Sequence, residues 1–242
     1  MSEVHKGTDE FVEELMDEHR RKAKELANTY YDEEYFERLG GPEATIRTEF
    51  PAFAWKEFYY GLLPPVRQCD LIYRRGDPYY DDRDIIVGLG KQIRDEIKHA
   101  RIFSNFAERF DADADMVTWD APYHPEGYYD KLVAAGYAGA DHEEPHHVAA
   151  GFQCSTEVGA AFQVRNLASY LESEYPNIAN SLKDIAADEG DHNHLGGLIA
   201  KRFGSPDDHD RMAEIAQQKY EAIRDGMRYA FENPEEFARG GD

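Results

Sequence analysis

Apolar residues recur along this chain at three- and four-residue intervals, punctuated by glycine and proline, and no segment alternates apolar with polar positions for the length of a strand. The pattern predicts a succession of helices. The first covers residues 8–29, with Phe11, Leu15, Ala23 and Leu26 along one face. A second runs from about Pro42 to Leu63, where Pro64-Pro65 stop it, and the stretch from Val66 to Asp82 around Gly76-Asp77-Pro78 reads as an irregular connection. A third spans about Arg83 to Phe110, with Ile85, Ile86, Leu89, Ile93, Ile97, Ala100 and Phe103 on its inner side. Residues 111–144 are turn-rich and hold one short helical candidate at 127–137. Pro145 opens a fourth helix that reaches Glu174, and Pro176 a fifth that ends near Phe203-Gly204. Asp207 or Asp208 caps a sixth that continues to about Phe231.

The expected fold class is therefore all-α. Connections between helices two and five are moderate, long and short in turn, which is the pattern of a four-helix bundle with one long crossover. A single domain over 1–242 follows, with the bundle core at about 43–203 and the helices at 8–29 and 207–231 flanking it.

Charge changes the picture next. The 49 acidic residues against 27 Lys and Arg give a formal net charge of −22, and the basic residues are scattered. Such a field repels phosphate backbones and anionic lipid, so nucleic-acid and membrane-surface roles are excluded as expectations. With 41% apolar residues the chain still has a core to bury, so disorder is not the reading. At molar salt, screening makes a charge this large inexpensive and keeps the protein soluble, which points to a halophilic source. Cys69 and Cys154 form no CxxC pair, no apolar run reaches 18 residues, and Met1-Ser2-Glu3-Val4-His5 lacks the start of a secretion signal. The expected location is cytoplasmic.

One pentad occurs twice. Asp95-Glu96-Ile97-Lys98-His99 and Asp188-Glu189-Gly190-Asp191-His192 both read D-E-x-x-H, each in the middle of a predicted helix. Glu and His three apart on a helix share a face and can hold one metal ion. With 26 Glu and 10 His in the chain, roughly one E-x-x-H is expected by chance, so a single copy would carry nothing. Requiring the preceding Asp lowers the expectation to roughly 0.1, so two copies are a signal. The other two occurrences, Glu143 to His146 and Glu144 to His147, straddle Pro145 and are discarded.

A dinuclear carboxylate site in a bundle takes E-x-x-H from two helices and one Glu from each of the other two. Glu57 and Glu157 stand on the helices that precede the two pentads. Phe50, Phe53, Ala54 and Gly61 share the face of Glu57, and Ala150, Gln153, Cys154 and Ala161 that of Glu157, so both carboxylates interrupt largely apolar stripes. A lone carboxylate buried there would be costly, whereas four around two divalent cations compensate one another. Tyr60 and Cys154, one turn from these glutamates, fit either packing or an outer-shell role, with packing favoured. His142, His146 and His147 cluster at a helix start, where ordinary exposed histidines are expected and a surface metal site is the alternative. Gly88-Leu89-Gly90-Lys91 lacks the spacer and Ser/Thr of a phosphate loop and falls inside a helix.

These motifs resemble the ferritin-like di-iron carboxylate superfamily over about residues 43–203. Within it, Glu57-Phe58-Tyr59-Tyr60-Gly61-Leu62-Leu63-Pro64 followed by the Asp95 pentad is similar to the corresponding stretch of the phenylacetyl-CoA epoxidase catalytic-subunit family. The connection from Glu57 to Glu96 is longer here, and Ile97-Lys98 replaces the Ala-Gly of that family's pentad. The resemblance implies that Glu57, Glu96 and His99 hold one metal and Glu157, Glu189 and His192 the other, with Glu96 and Glu189 bridging. It also implies that each histidine pairs with the Asp of the opposite pentad, Asp95 with His192 and Asp188 with His99.

Hard oxygen donors and neutral imidazole suit two iron ions, or manganese in one or both positions. The expected function is an O2-dependent oxidoreductase, such as a monooxygenase, acting on a small organic substrate for which an acyl-CoA thioester is one class. Nothing in the chain looks like a flavin, nicotinamide or iron-sulfur motif, so a reductase or ferredoxin partner is implied. The alternatives are a ferroxidase that handles iron and a ferritin-like partner subunit without catalysis. A metal-free hydrolase with paired carboxylates is more remote, since it leaves both histidines unexplained. A homodimer or a place in a larger complex is the expected assembly.

Overall fold

In the computed structural model, which describes residues 6–75, 80–112 and 142–234, every regular element is helical. Helix α1 (Lys6–Tyr30) buries Val12, Leu15, Ala23, Leu26 and Ala27 along one stripe. A short helix not expected from the periodicity, α2 (Glu33–Leu39), follows. The Asp32 carboxylate caps it by accepting from the Tyr35 N–H, and Gly40 ends it at φ 111°, a backbone conformation that favours glycine.

Helix α3 (Pro42–Lys56) continues through a π-helical turn, π1 (Glu57–Gly61), into α4 (Leu63–Arg74). This corrects the expected irregular stretch after Val66. Pro64-Pro65 do end the preceding helix, but they also stand in the first turn of the next one, where missing N–H groups cost nothing because those donors have no helical partner. Helix α5 (Tyr80–Arg109) carries the first pentad. Ile97 is 47% exposed rather than inward, and the buried stripe of α5 runs instead through Ile85, Leu89, Gln92, Glu96, His99 and Phe103.

The short helix expected at 127–137 lies outside the described residues. The helix that begins at Pro145 is interrupted: α6 (Pro145–Gly151), a second π-helical segment π2 (Phe152–Glu157), then α7 (Val158–Leu171). Helix α8 (Pro176–Phe203) carries the second pentad. A 3-10 turn (Pro206–Asp208) leads to α9 (His209–Glu232), and Asp208 caps the turn through Ser205 rather than capping α9. No helix among the described residues is long and apolar enough to cross a membrane.

The core has two parts. Phe50, Phe53, Phe103, Val164, Leu182 and Ile185 belong to one apolar cluster, and Leu89, Ala149, Ala150, Ile199 and Met212 to the other. Along α5 the order is Leu89, then Gln92, Glu96 and His99, then Phe103; along α8 it is Ile185, then Glu189 and His192, then Ile199. Both pentads therefore lie in a polar layer closed at each end by hydrocarbon.

Candidate metal centre

Four helical segments bring their acids into that layer. Glu57 opens π1 and Glu157 closes π2, while Glu96 and Glu189 come from the interiors of α5 and α8. A π turn adds one residue to a helical turn, which re-aims the side chain next to it, and such turns are frequent at functional sites. All six predicted ligands are buried, from 0% exposed at His99 and Glu189 to 8% at Glu57.

The ligand atoms fall into two overlapping groups, each able to hold a metal ion. One contains Glu57, Glu96, His99 and Glu189, the other Glu96, Glu157, Glu189 and His192. Glu96 and Glu189 belong to both. His99 Nδ1 lies 3.1 Å from Glu189 Oε1 and 3.8 Å from Glu57 Oε2. His192 Nδ1 lies 3.1 Å from Glu189 Oε2 and 3.2 Å from Glu96 Oε1. Both rings thus turn Nδ1 toward the carboxylates.

His99 Nδ1 and Glu189 Oε1 converge without hydrogen-bond alignment, and both are buried without another partner. Orphaned, facing donors of this kind fit a cation between them better than they fit each other. Gly61 fits the same reading, because a Cβ there would come within 2.6 Å of Glu96 Oε2.

Electrostatics agree. Burial, and then the charges of Glu157, Glu189 and Glu57, push Glu96 well above the usual carboxylate range, and burial followed by Glu189 does the same to Glu157. Burial would also raise Glu189, but its contacts with His192 and His99 outweigh this and hold it well below. Burial would lower His99, but Glu189 and Glu57 outweigh it and push the ring up to about 11. Four carboxylates in a dry layer cannot all ionise alone; without cations, protons must take their place.

The outward nitrogens face the aspartates. His99 Nε2 is 3.2 Å from Asp188 Oδ2, and His192 Nε2 is 3.7 Å from Asp95 Oδ2, beyond direct bonding. Lys98 donates to Asp188 at 2.8 Å, and Lys91 to Asp95 at 2.8 Å. Burial raises Asp188, yet Lys98 and His99 hold it below the ordinary value.

Tyr60 packs edge-on to Trp55, with ring centroids 5.0 Å apart, and Cys154 is fully buried with its thiol pushed up to about 12.

Three glutamines that sequence reasoning passed over complete the layer. Gln92 Nε2 donates to Glu157 Oε1 at 2.8 Å, Gln153 Nε2 donates to Gln92 Oε1 at 3.2 Å and to Gln68 Oε1 at 2.6 Å, and all three are fully buried. Their signal was position: Gln92 and Gln153 stand one turn before Glu96 and Glu157. The expectation of exposed histidines also fails, since His146 is 3% exposed and His142 and His147 are half-buried.

Beside the carboxylates lies a cavity of about 90 Å³ whose lining includes Glu57, Glu96 and Glu157. Phe53, Phe152 and Met227 supply apolar wall. Its polar end is Glu49, whose two oxygens accept from Tyr31 and Tyr35 hydroxyls, each at 2.7 Å. No protein-family model, curated protein or solved structure matches the chain.

Proposed function

We propose that this chain is a dinuclear non-haem iron oxidoreductase that uses O2 to oxygenate or oxidise a small organic substrate. The observation that carries the reading is the pair of buried ligand groups that share Glu96 and Glu189. Four carboxylates and two imidazoles, with E-x-x-H on two of the four contributing segments, is the donor set of ferritin-like di-iron bundles. The packing of α3 against α5 and of α7 against α8, with α5 also against α8, supports that fold reading.

Oxygen and imidazole donors suit iron, and manganese is the alternative metal. Two bound irons would supply the electrons and the Lewis acidity that O2 activation needs. The protein's own part is positional. Asp188 holds the Nε2–H of His99, so Nδ1 keeps its lone pair for the metal. Gln92 ties one oxygen of Glu157 and leaves the other for coordination. Phe53, Phe152 and Met227 give the cavity its apolar wall, and there the organic substrate would meet the carboxylate face of the centre. An acyl-CoA thioester is the substrate class to try first, and a reductase or ferredoxin would deliver the electrons.

The test is anaerobic loading with Fe(II), metal counting, and then exposure to O2. Two irons per chain are expected, with loading lost on Glu96→Ala or Glu189→Ala; fewer than two in the wild type rejects the dinuclear centre. A spectral change on O2 that an organic thioester discharges favours the oxygenase, whereas repeated conversion of excess Fe(II) to mineral favours a ferroxidase.

A further inference from the structure

A second cluster of imidazole and carboxylate lies outside the dinuclear layer, where the start of α6 meets the turn before α9. His146 and His147 stand in the first turn of α6, and Asp208 ends the 3-10 turn Pro206–Asp208. Asp208 Oδ1 is 3.4 Å from His146 Nε2 and 3.9 Å from His147 Nε2, and the two rings are 4.4 Å apart between centroids.

Two observations separate this cluster from a surface ion pair. His146 is 3% exposed, and neither of its ring nitrogens makes a hydrogen bond; buried His147 Nε2 makes none either. Buried imidazole nitrogens without partners are rare, because each forfeits its hydration. Asp208, by contrast, is oriented. Its Oδ2 accepts from the Ser205 N–H at 2.9 Å and from the Ser205 hydroxyl at 2.7 Å, which leaves Oδ1 toward the two rings.

Donor atoms around a tetrahedral divalent ion, with bonds of ~2.0–2.1 Å, lie roughly 3.3–3.4 Å apart. The edge from His146 to Asp208 already has that length, and the edge from His147 to Asp208 exceeds it by about half an ångström. Burial holds both rings below the ordinary histidine value.

We propose that His146, His147 and Asp208 form a mononuclear site for a zinc-class divalent metal, separate from the dinuclear centre and with its fourth position left to water. Two imidazoles and one carboxylate favour zinc, nickel or copper over magnesium or calcium. The metal would clamp the start of α6, which leads into the segment bearing Glu157, to the start of α9.

The test counts Zn²⁺ bound by the full chain and records the visible spectrum with Co²⁺ as a substitute. His147→Asn and Asp208→Asn are each expected to lower Zn²⁺ affinity at this site at least about tenfold, to remove one equivalent from the wild-type count, and to remove the tetrahedral Co²⁺ band. An unchanged count with an unchanged spectrum overturns the proposal. A Glu96→Gln, Glu189→Gln chain, which keeps the histidine cluster while weakening the dinuclear centre, is the second arm and applies whether or not the first variants fold. It is expected to retain one tightly held zinc, and a chain that holds none overturns the proposal.

Discussion

Gly61 stands against the carboxylate of Glu96 so closely that a Cβ would approach Oε2 to 2.6 Å and Cδ to 3.1 Å. Only the far end of a flexible side chain is in the way, so the backbone can accept alanine while Glu96 cannot keep its position. Gly61→Ala is therefore expected to leave the metal-free fold as stable or up to about 1 kcal/mol more stable, from helix propensity, while lowering metal loading. Because Glu96 belongs to both ligand groups, both ions should be affected. Thermal unfolding of the metal-free protein and metal counting check the two halves separately, and an unchanged loading would remove Glu96 from its shared role.

The two aspartates of the pentads stand differently toward the histidines. Asp188 is within hydrogen-bond reach of His99, whereas Asp95 stays 3.7 Å from His192 and spends its oxygens on Lys91 and Arg94. Loss of a carboxylate behind a metal-bound histidine commonly weakens metal affinity about 10–100-fold. Asp188→Asn is expected to fall in that range and Asp95→Asn well below it. Chelator competition measures both, and equal losses would contradict the asymmetry.

How far this site is legible in the sequence depends on what each residue needs from its neighbours. The pentads are legible because i, i+3 spacing is local and a carboxylate in an apolar stripe is too costly to bury without a compensating charge. Gln68 is not, since a neutral amide buried by partners from other helices looks no different in sequence from one on the surface, and Gln92 and Gln153 show only their place one turn before Glu96 and Glu157. The π-helical turns leave no mark either, as one extra residue in a turn has no composition of its own. Helix α4 is hidden because Pro64-Pro65 serve as an end and a beginning at once. The burial of His146 depends on Asp208 and the turn before α9, which periodicity near Pro145 cannot report.

Gln92 links the two halves of the polar layer by donating to Glu157 and accepting from Gln153. Gln92→Met keeps the volume but takes the amide donor from a buried oxygen of Glu157 and one of two acceptors from Gln153, whose amide keeps Gln68. A loss of about 1–3 kcal/mol in unfolding free energy is expected. Gln92 also reaches Glu96 Oε1 at 3.4 Å, but its shorter bond goes to Glu157, so metal affinity should fall most at the position that uses Glu157, giving biphasic loading where Gly61→Ala affects both ions alike. Denaturant unfolding and metal titration test this, and uniform weakening of both sites would rule out the positioning role.

The formal net charge of −22 makes a prediction about salt. At low ionic strength the surface carboxylates repel one another over roughly 10 Å or more, and near 1 M salt that range shrinks to about 3 Å. Unfolding relieves the repulsion, so the folded state should gain stability steeply between low and molar salt. Denaturation midpoints across a potassium chloride series measure it, and a flat series would reject a halophilic origin for the acidity.

His19 on α1 gives a pH dependence separate from the metal ligands. Its ring is 3% exposed, 3.5 Å from the Ser155 hydroxyl and edge-on to Tyr220, and burial followed by the charge of Lys22 lowers it from 6.5 to about 4. In the unfolded chain the same ring takes up a proton near pH 6.5. Between those values the unfolded state binds a proton that the folded state does not. The stability His19 contributes is thus complete above pH 6.5 and lost as the pH falls toward 4, on the order of 3 kcal/mol across the window. His19→Gln has no proton to gain in this window. Whatever constant stability it forfeits, its unfolding free energy should fall with acid more gently than the wild type by close to one proton. Denaturant unfolding at intervals from pH 4 to 7 reads that difference, and parallel slopes would mean that His19 is protonated in the folded protein.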